Sequence, residues 1–318
     1  MTILSSILIF LASCFLLAFS SKWLVSILLR VALFLKLKEF VVGFFLMAFA
    51  ASLPNLFVGI IAALNKIPEL SFGEVIGGNI VDLSLVIGLA ALLSRGGLSA
   101  DSRTVQGSSF FTIFIGILPL FLIADHNLSR VDGTFLILSY LLYISWLFSK
   151  KERFTKVYNH APRTINSKNF LKDLALLTLT VVLLLVGAKG IVSSASVFAA
   201  TLSLPIGLIG LFIVGLGNSL PETFFSIQAA RRGQDWMVLG NLMGGVVMTA
   251  TLVLGIVALI SPIKIANFSP FAIARVFLVI SALFFLFCLR SDSKISKKEG
   301  ILLLLIYVSF LVTEILTK

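Results

Sequence analysis

The chain contains the segment Ala50-Ala51-Ser52-Leu53-Pro54-Asn55, and 167 residues further on it contains Gly217-Asn218-Ser219-Leu220-Pro221-Glu222. At the same displacement Gly43 falls on Gly210, Gly73 on Gly240, Gly77-Gly78 on Gly244-Gly245, and Gly88 on Gly255. Residues 85–94 and 252–261 agree at six of ten positions without a gap, and Lys22, Val25 and Ser26 fall on Lys189, Val192 and Ser193. Apolar segments of low complexity match by chance at many places. A proline and five glycines at one ungapped displacement mark an internal repeat.

The repeat is set in a very apolar chain. Of 318 residues 59% are hydrophobic and 12% charged, with a mean hydropathy of +1.11; an ordinary soluble domain is about 25% charged. So few charges cannot cover a water-soluble surface, which excludes a soluble enzyme, a disordered protein and a nucleic-acid binder. A helix needs about 20 apolar residues to cross the hydrocarbon core. Ten such runs are present, roughly 3–30, 40–64, 71–93, 107–124, 131–149, 170–197, 206–230, 236–260, 269–289 and 300–317. They are continuous rather than alternating and about twice the length of a barrel strand, so a β-barrel is excluded. Leu11-Ala12-Ser13-Cys14 has the form of a lipoprotein cleavage box, but no Lys or Arg precedes it and the apolar run continues to Val25. A first membrane helix is therefore expected there.

With ten spans, alternate connections share a side. One side receives 18 of the 25 Lys and Arg and the other receives 4. This bias places the rich side in the cytoplasm and both termini outside, in a multi-pass cell-membrane protein. The basic surplus is a topology signal. Each repeat holds five spans, an odd number, so the second copy enters the membrane in the opposite sense. The expected fold is all-α and integral to the membrane: ten helices as two inverted five-helix repeats, 1–149 and 170–318, joined by a cytoplasmic linker at 150–169. Inverted repeats are the architecture of secondary transporters, which alternate access around a site near the midplane.

Acids within hydrocarbon are costly and usually functional. Most of the fourteen acids lie in connections, and Glu74 and Glu314 are expected near span ends. Asp82 in the third span and Glu222 in the seventh are expected to be well inside. A mid-helix proline removes an amide donor and frees a carbonyl one turn back, so kinks are expected at Pro54 and Pro221. Ser52, Ser219, Asn55 and Asn218 add hydroxyl and amide oxygens beside those kinks, and Gly-x-x-x-Gly pairs let the third and eighth spans approach closely. Glu222, Asp82, Asn55, Ser52, Ser219 and Asn218 thus form a candidate cation site made of oxygens, suited to Na⁺ or Ca²⁺. Its charge amounts to two carboxylates. Cys14 and Cys288 form no metal or disulfide pattern, and His126 and His160 lie in polar connections, so no zinc site, cofactor or catalytic constellation is expected.

These motifs resemble the α-repeats of the calcium/cation antiporter superfamily, the sodium/calcium exchanger type. There Gly-Thr-Ser-Leu-Pro-Glu on the second and seventh helices is followed by Gly-Asn-x-x-Gly-Ser-Asn-Ile on the third and eighth. The resemblance covers the whole chain. It implies long first and sixth helices gliding past a compact core, with ions bound between the broken second and seventh helices and their partners. The chain departs from the pattern at Asn55, where the family has glutamate, and at Ala51 and Asn218, where it has threonine. Gly78, Gly245 and Val246 also depart from it, Asp82 takes an asparagine position, and Thr249 stands where an acid or amide is expected.

The implied function is exchange of Ca²⁺ or a related cation for Na⁺ by alternating access, with inorganic cations and the bilayer as partners. The alternative is a cation/H⁺ exchanger of the same fold, in which the buried carboxylates carry the protons. The third reading, a transport-inactive relative serving as membrane scaffold or sensor, draws on Asn55 and Val246. Lys22 comes out about 28 Å into its helix at 1.5 Å per residue, near one face, where its side chain snorkels to the headgroups; its other use is as a tethered cation entering the pocket.

Overall fold

The structure, a computed structural model, describes residues 2–34, 46–101, 103–149, 167–265 and 271–317. Among these, ten helical segments follow one another: α1 (Ile3–Phe34), α2 (Leu46–Leu64), α3 (Glu69–Leu93), α4 (Arg103–Leu122), α5 (Arg130–Ser149), α6 (Ser167–Leu202), α7 (Ile206–Arg231), α8 (Asp235–Ile260), α9 (Ala272–Ser291) and α10 (Lys297–Leu316). Residues 150–166, most of the expected linker, lie outside the described residues, as does the first part of the second predicted span.

The repeat is visible in the local chemistry of equivalent elements. α10 begins with a capping box in which the Ser296 side chain accepts from the Glu299 amide while Glu299 accepts from the Ser296 backbone. α5 begins the same way at the equivalent positions, with Ser129 and Asp132 exchanging bonds of 2.8 and 3.2 Å. Each such cap satisfies two of the amides that a helix start leaves unpaired. α3 carries a wide π-type turn at Val81–Val86, and α8 carries one at Thr249–Val253. Insertions of this kind widen a helix locally and are frequent at functional sites.

Two short ribbons show that the copies are inverted. Leu98–Ser99, β1 in the α3–α4 connection, pairs antiparallel with Lys294–Ile295, β4 just before α10. Asn127–Leu128, β2 before α5, pairs with Ile263–Lys264, β3 in the α8–α9 connection. β1 and β2 lie at opposite ends of α4, so β2 and β4, the same element of each repeat, lie at opposite ends of the bundle. That arrangement requires an odd number of crossings per repeat. The expected ten-helix inverted fold is the one observed.

The copies interlock through glycine. A Cβ on Gly73 of α3 would lie 1.8 Å from the Gly207 carbonyl oxygen, and one on Gly77 1.9 Å from that of Leu211, so only glycine lets α3 lie this close to α7. α3 and α8 form the centre and are mostly buried, whereas α1 and α10 are largely exposed. The outer helices present Leu4, Leu8, Phe15, Leu302 and Leu305 outward, as a lipid-facing layer does. α1 and α6, of 32 and 36 residues, cross where Gly190 meets Ser13 and Gly187 meets Leu17. At 1.5 Å per residue they run to about 48 and 54 Å, longer than a hydrocarbon core of about 30 Å.

Candidate functional site

The two Ser-Leu-Pro elements differ in backbone. α7 is interrupted: helix ends at Asn218, Ser219 forms a turn, and a new helix starts at Leu220 with Pro221 in its first turn. α2 runs as one uninterrupted helix from Leu46 to Leu64 with Pro54 inside it. The reason is local. α7 carries Gly215 and Gly217 ahead of its proline, whereas α2 carries Ala50 and Ala51, and alanine holds a helix where glycine releases it by about 1 kcal/mol per residue.

A cavity of about 340 Å³ opens beside the break, walled by Cys14, Ser21 and Lys22 of α1, Ala51 and Pro54 of α2, Asn218, Pro221 and Glu222 of α7, and Asn241 of α8. Of the six residues picked out by the sequence, Asn218 and Glu222 line it. Ser52, Asn55, Asp82 and Ser219 do not. Ser219 faces the Asp82 carboxylate and the backbone of Gly78, where a Cβ would stand 3.7 Å from its Oγ. Ser52 stands at 3.8 Å in the equivalent relation to Gly245. Each motif serine therefore packs on the glycine pair of the other repeat. Lys22 is exposed and contributes to the cavity wall.

Three carboxylates gather at this junction. Glu222 lies within electrostatic reach of both Asp82 and Glu74. Glu74 is where the sequence reading needs correction. α3 begins at Glu69 rather than at residue 71, which puts Glu74 in its second turn, packed against α7 and only 2% exposed. Its Oε1 accepts a hydrogen bond from Asn218 Nδ2. The junction therefore holds one more carboxylate than the two the sequence reading counted. Asn79, which the sequence does not single out, accepts through its Oδ1 from Thr249 Oγ1 at 2.9 Å, tying α3 to α8 beside their wide turns.

Several polar atoms here are buried without a hydrogen-bond partner: Glu74 Oε2, Asp82 Oδ1, Glu222 Oε2, Asn55 Oδ1 and Asn79 Nδ2. Buried oxygens normally find donors, and each left alone costs about 1–3 kcal/mol, more when charged. These atoms include four unpartnered oxygens on α2, α3 and α7, the donor type that hard cations prefer. Among the described residues, no three Asp, Glu, His or Cys side chains converge on one point able to hold a metal ion, so carboxylates alone do not make a single chelate. An ion held here would need amide, hydroxyl or main-chain oxygens as well.

The signal for Glu74 was in the sequence. Gly73-Glu74-x-x-Gly77 occupies the Gly-Asn-x-x-Gly element, whose second copy, Gly240-Asn241-x-x-Gly244, keeps the asparagine. Relative to the pattern, acid and amide are exchanged between Asn55 on α2 and Glu74 on α3.

Comparison with known proteins agrees with this architecture. The family described as "Sodium/calcium exchanger protein" matches residues 5–149 and 172–316, two segments at the displacement of the repeat. The chain is 28% identical over 315 residues to the sodium/calcium exchanger MaX1 of Methanosarcina acetivorans, covering 87% of this chain and 89% of the relative. It is 26% identical over 272 residues to the inner membrane protein YrbG of Escherichia coli, covering 83% and 82%. Among solved structures it resembles the sodium-calcium exchanger NCX_Mj soaked with Na⁺ and Sr²⁺, with a TM-score of 0.67 and 27% identity over 98% of this chain and 99% of that one.

Proposed function

We propose, from the premise that the chain belongs to the sodium/calcium exchanger family, that it exchanges Ca²⁺ or a related hard cation for Na⁺ by alternating access. The observation that supports this reading is the set of unpartnered oxygens on Asn55, Glu74, Asp82 and Glu222 at the junction of two inverted repeats.

The chemistry follows from charge in low dielectric. Asp82 and Glu222 repel one another when both are ionised, and that repulsion grows as water is excluded. One divalent cation, or monovalent cations in its place, offsets it. Ser219, Ser52, Asn55 and Asn218 supply the neutral oxygens that replace hydration. A site left with uncompensated charges crosses poorly between its outward and inward forms, whereas a loaded one crosses readily. Exchange rather than leak is the consequence, and no covalent step is required. The inverted repeat supplies the two forms, since exchanging the conformations of its halves moves the opening from one face to the other. The charge bias of the connections orients the molecule with both termini outside and the linker 150–169 in the cytoplasm.

Flux in proteoliposomes tests the reading. With Ca²⁺ inside, release driven by external Na⁺ and not by K⁺ or an imposed pH gradient is expected. Release driven by protons alone would make the chain a cation/H⁺ exchanger, and none under any gradient would favour the scaffold or sensor reading. Glu222→Gln and Asp82→Asn should each weaken cation binding about tenfold or more, since a contact pair at about 4 Å is worth about 4 kcal/mol at an effective dielectric of about 20 before desolvation. Unchanged flux in both variants would remove these residues from the site.

A further inference from the structure

We propose that Glu74, aimed by Asn218, is a further cation-binding residue of this chain and forms a second carboxylate locus beside the Asp82–Glu222 pair. The proposal rests on the exchanger reading and deepens it. Glu74 has the features of a ligand and not of a packing residue. It is 2% exposed, at a point where burying an isolated carboxylate is costly, so the fold must gain something by keeping it. One oxygen is fixed by Asn218 Nδ2, while the other, Oε2, is buried without a partner.

Its neighbours connect it to the cavity. Asn218 and Cys14 line that cavity, Asn218 bonds to Glu74, and Glu74 lies within electrostatic reach of Cys14. Asn218 is the last residue of the helical segment before the α7 break, so the hydrogen bond couples Glu74 on one repeat to the hinge of the other. The equivalent positions behave differently. Ala51 and Asn241 stand where Asn218 and Glu74 stand in the other half, and both face the cavity, with Ala51 unable to hydrogen-bond through its side chain. One half of the junction is therefore closed by an acid–amide bond and the other is open. Only two carboxylates need share any one ion under this arrangement, consistent with the lack of a three-acid chelate among the described residues.

The ligand class is a hard inorganic cation, Ca²⁺ or Na⁺. The test is equilibrium ⁴⁵Ca²⁺ binding, with Na⁺ competition, to the purified full-length chain, accompanied by flux in proteoliposomes. Glu74→Gln is expected to raise the Ca²⁺ concentration for half-saturation by about tenfold, a loss of about 1.4 kcal/mol. A merely structural role would lower maximal flux and folded yield and leave half-saturation where it was. Glu74→Asp, which keeps the charge but withdraws it from Asn218, is expected to fall between wild type and Gln. If Glu74→Gln does not fold, unchanged half-saturation in Glu74→Asp overturns the proposal and a raised value supports it. Wild-type binding by Glu74→Gln alongside lost binding by Glu222→Gln overturns the Glu74 locus and leaves the exchanger reading standing. No Ca²⁺ or Na⁺ binding by the wild-type chain overturns both.

Discussion

Gly88 and Gly300 touch backbone to backbone: a Cβ on Gly88 would lie 2.8 Å from the Gly300 carbonyl oxygen. Gly255 and Gly133, their equivalents in the other half, have the same 2.8 Å relation. α3 therefore meets α10 as α8 meets α5, and the two crossings are copies. Gly300→Leu and Gly133→Leu should each destabilise the protein by about 1–3 kcal/mol, the usual effect of overfilling a packed interface. Thermal unfolding in detergent measures this. Gly96→Ala is the control, since its nearest neighbour would be the flexible end of Lys294 at 3.7 Å. A loss confined to one of the two leucine variants would contradict the equivalence of the crossings.

The tie between Asn79 and Thr249 is the next to test. Thr249→Val keeps the shape of the side chain but leaves the buried Asn79 Oδ1 without its 2.9 Å donor. Stability should fall by about 1–3 kcal/mol. Replacing both residues, as in Asn79→Leu with Thr249→Val, removes the stranded atom and should recover part of the loss. A double variant that loses the sum of the two single effects would show that the bond does not couple α3 to α8.

The fold was legible because its signals are repeated: the Ser-Leu-Pro copies, the glycines and the charge bias of the connections each restate one architecture. The site was legible only in part. Asp82 and Glu222 stand out as acids inside apolar runs. Glu74 lies near the start of α3, and its burial comes from the close approach of α7 at Gly73 and Gly77, which the sequence does not place. The contrast between α2 and α7 was written in Ala50-Ala51 against Gly217-Asn218, but the shared proline drew the reading toward symmetry. Asn79 and Thr249 carry no charge, and only the three-dimensional crossing of α3 and α8 pairs them.

Asn55 offers a gain-of-affinity test. Its Oδ1 is buried without a partner on α2. Asn55→Asp replaces an amide by a carboxylate of nearly the same size, adding charge without demanding room. Ca²⁺ binding should tighten, by about tenfold if the added attraction survives desolvation as about 1.4 kcal/mol. Isothermal titration of the purified variant measures it. Weaker binding would mean that the added charge repels Asp82 and Glu222 more than it attracts the ion, and would place Asn55 outside the coordination shell.

Cys14 provides a native reporter of the cavity. The chain has two cysteines, and both are free. Cys14 is half-buried and lines the cavity beside Asn218, whereas Cys288 is fully buried in the core. A small neutral alkylating reagent such as iodoacetamide should therefore modify Cys14 and spare Cys288, as intact mass and peptide mapping would show. The Sγ of Cys14 would stand 3.2 Å from a Cβ on Gly217, one residue before Asn218, so an adduct there must press on the α7 break. Alkylated protein should accordingly lose cation flux, and Cys14→Ala protein treated in the same way should not. Saturating Ca²⁺ should slow the modification, because an ion held by Asn218 and Glu222 occupies the space the reagent must cross. Equal rates with and without Ca²⁺ would separate the cavity from the cation site, and prior modification of Cys288 would mean that water reaches the core by another route.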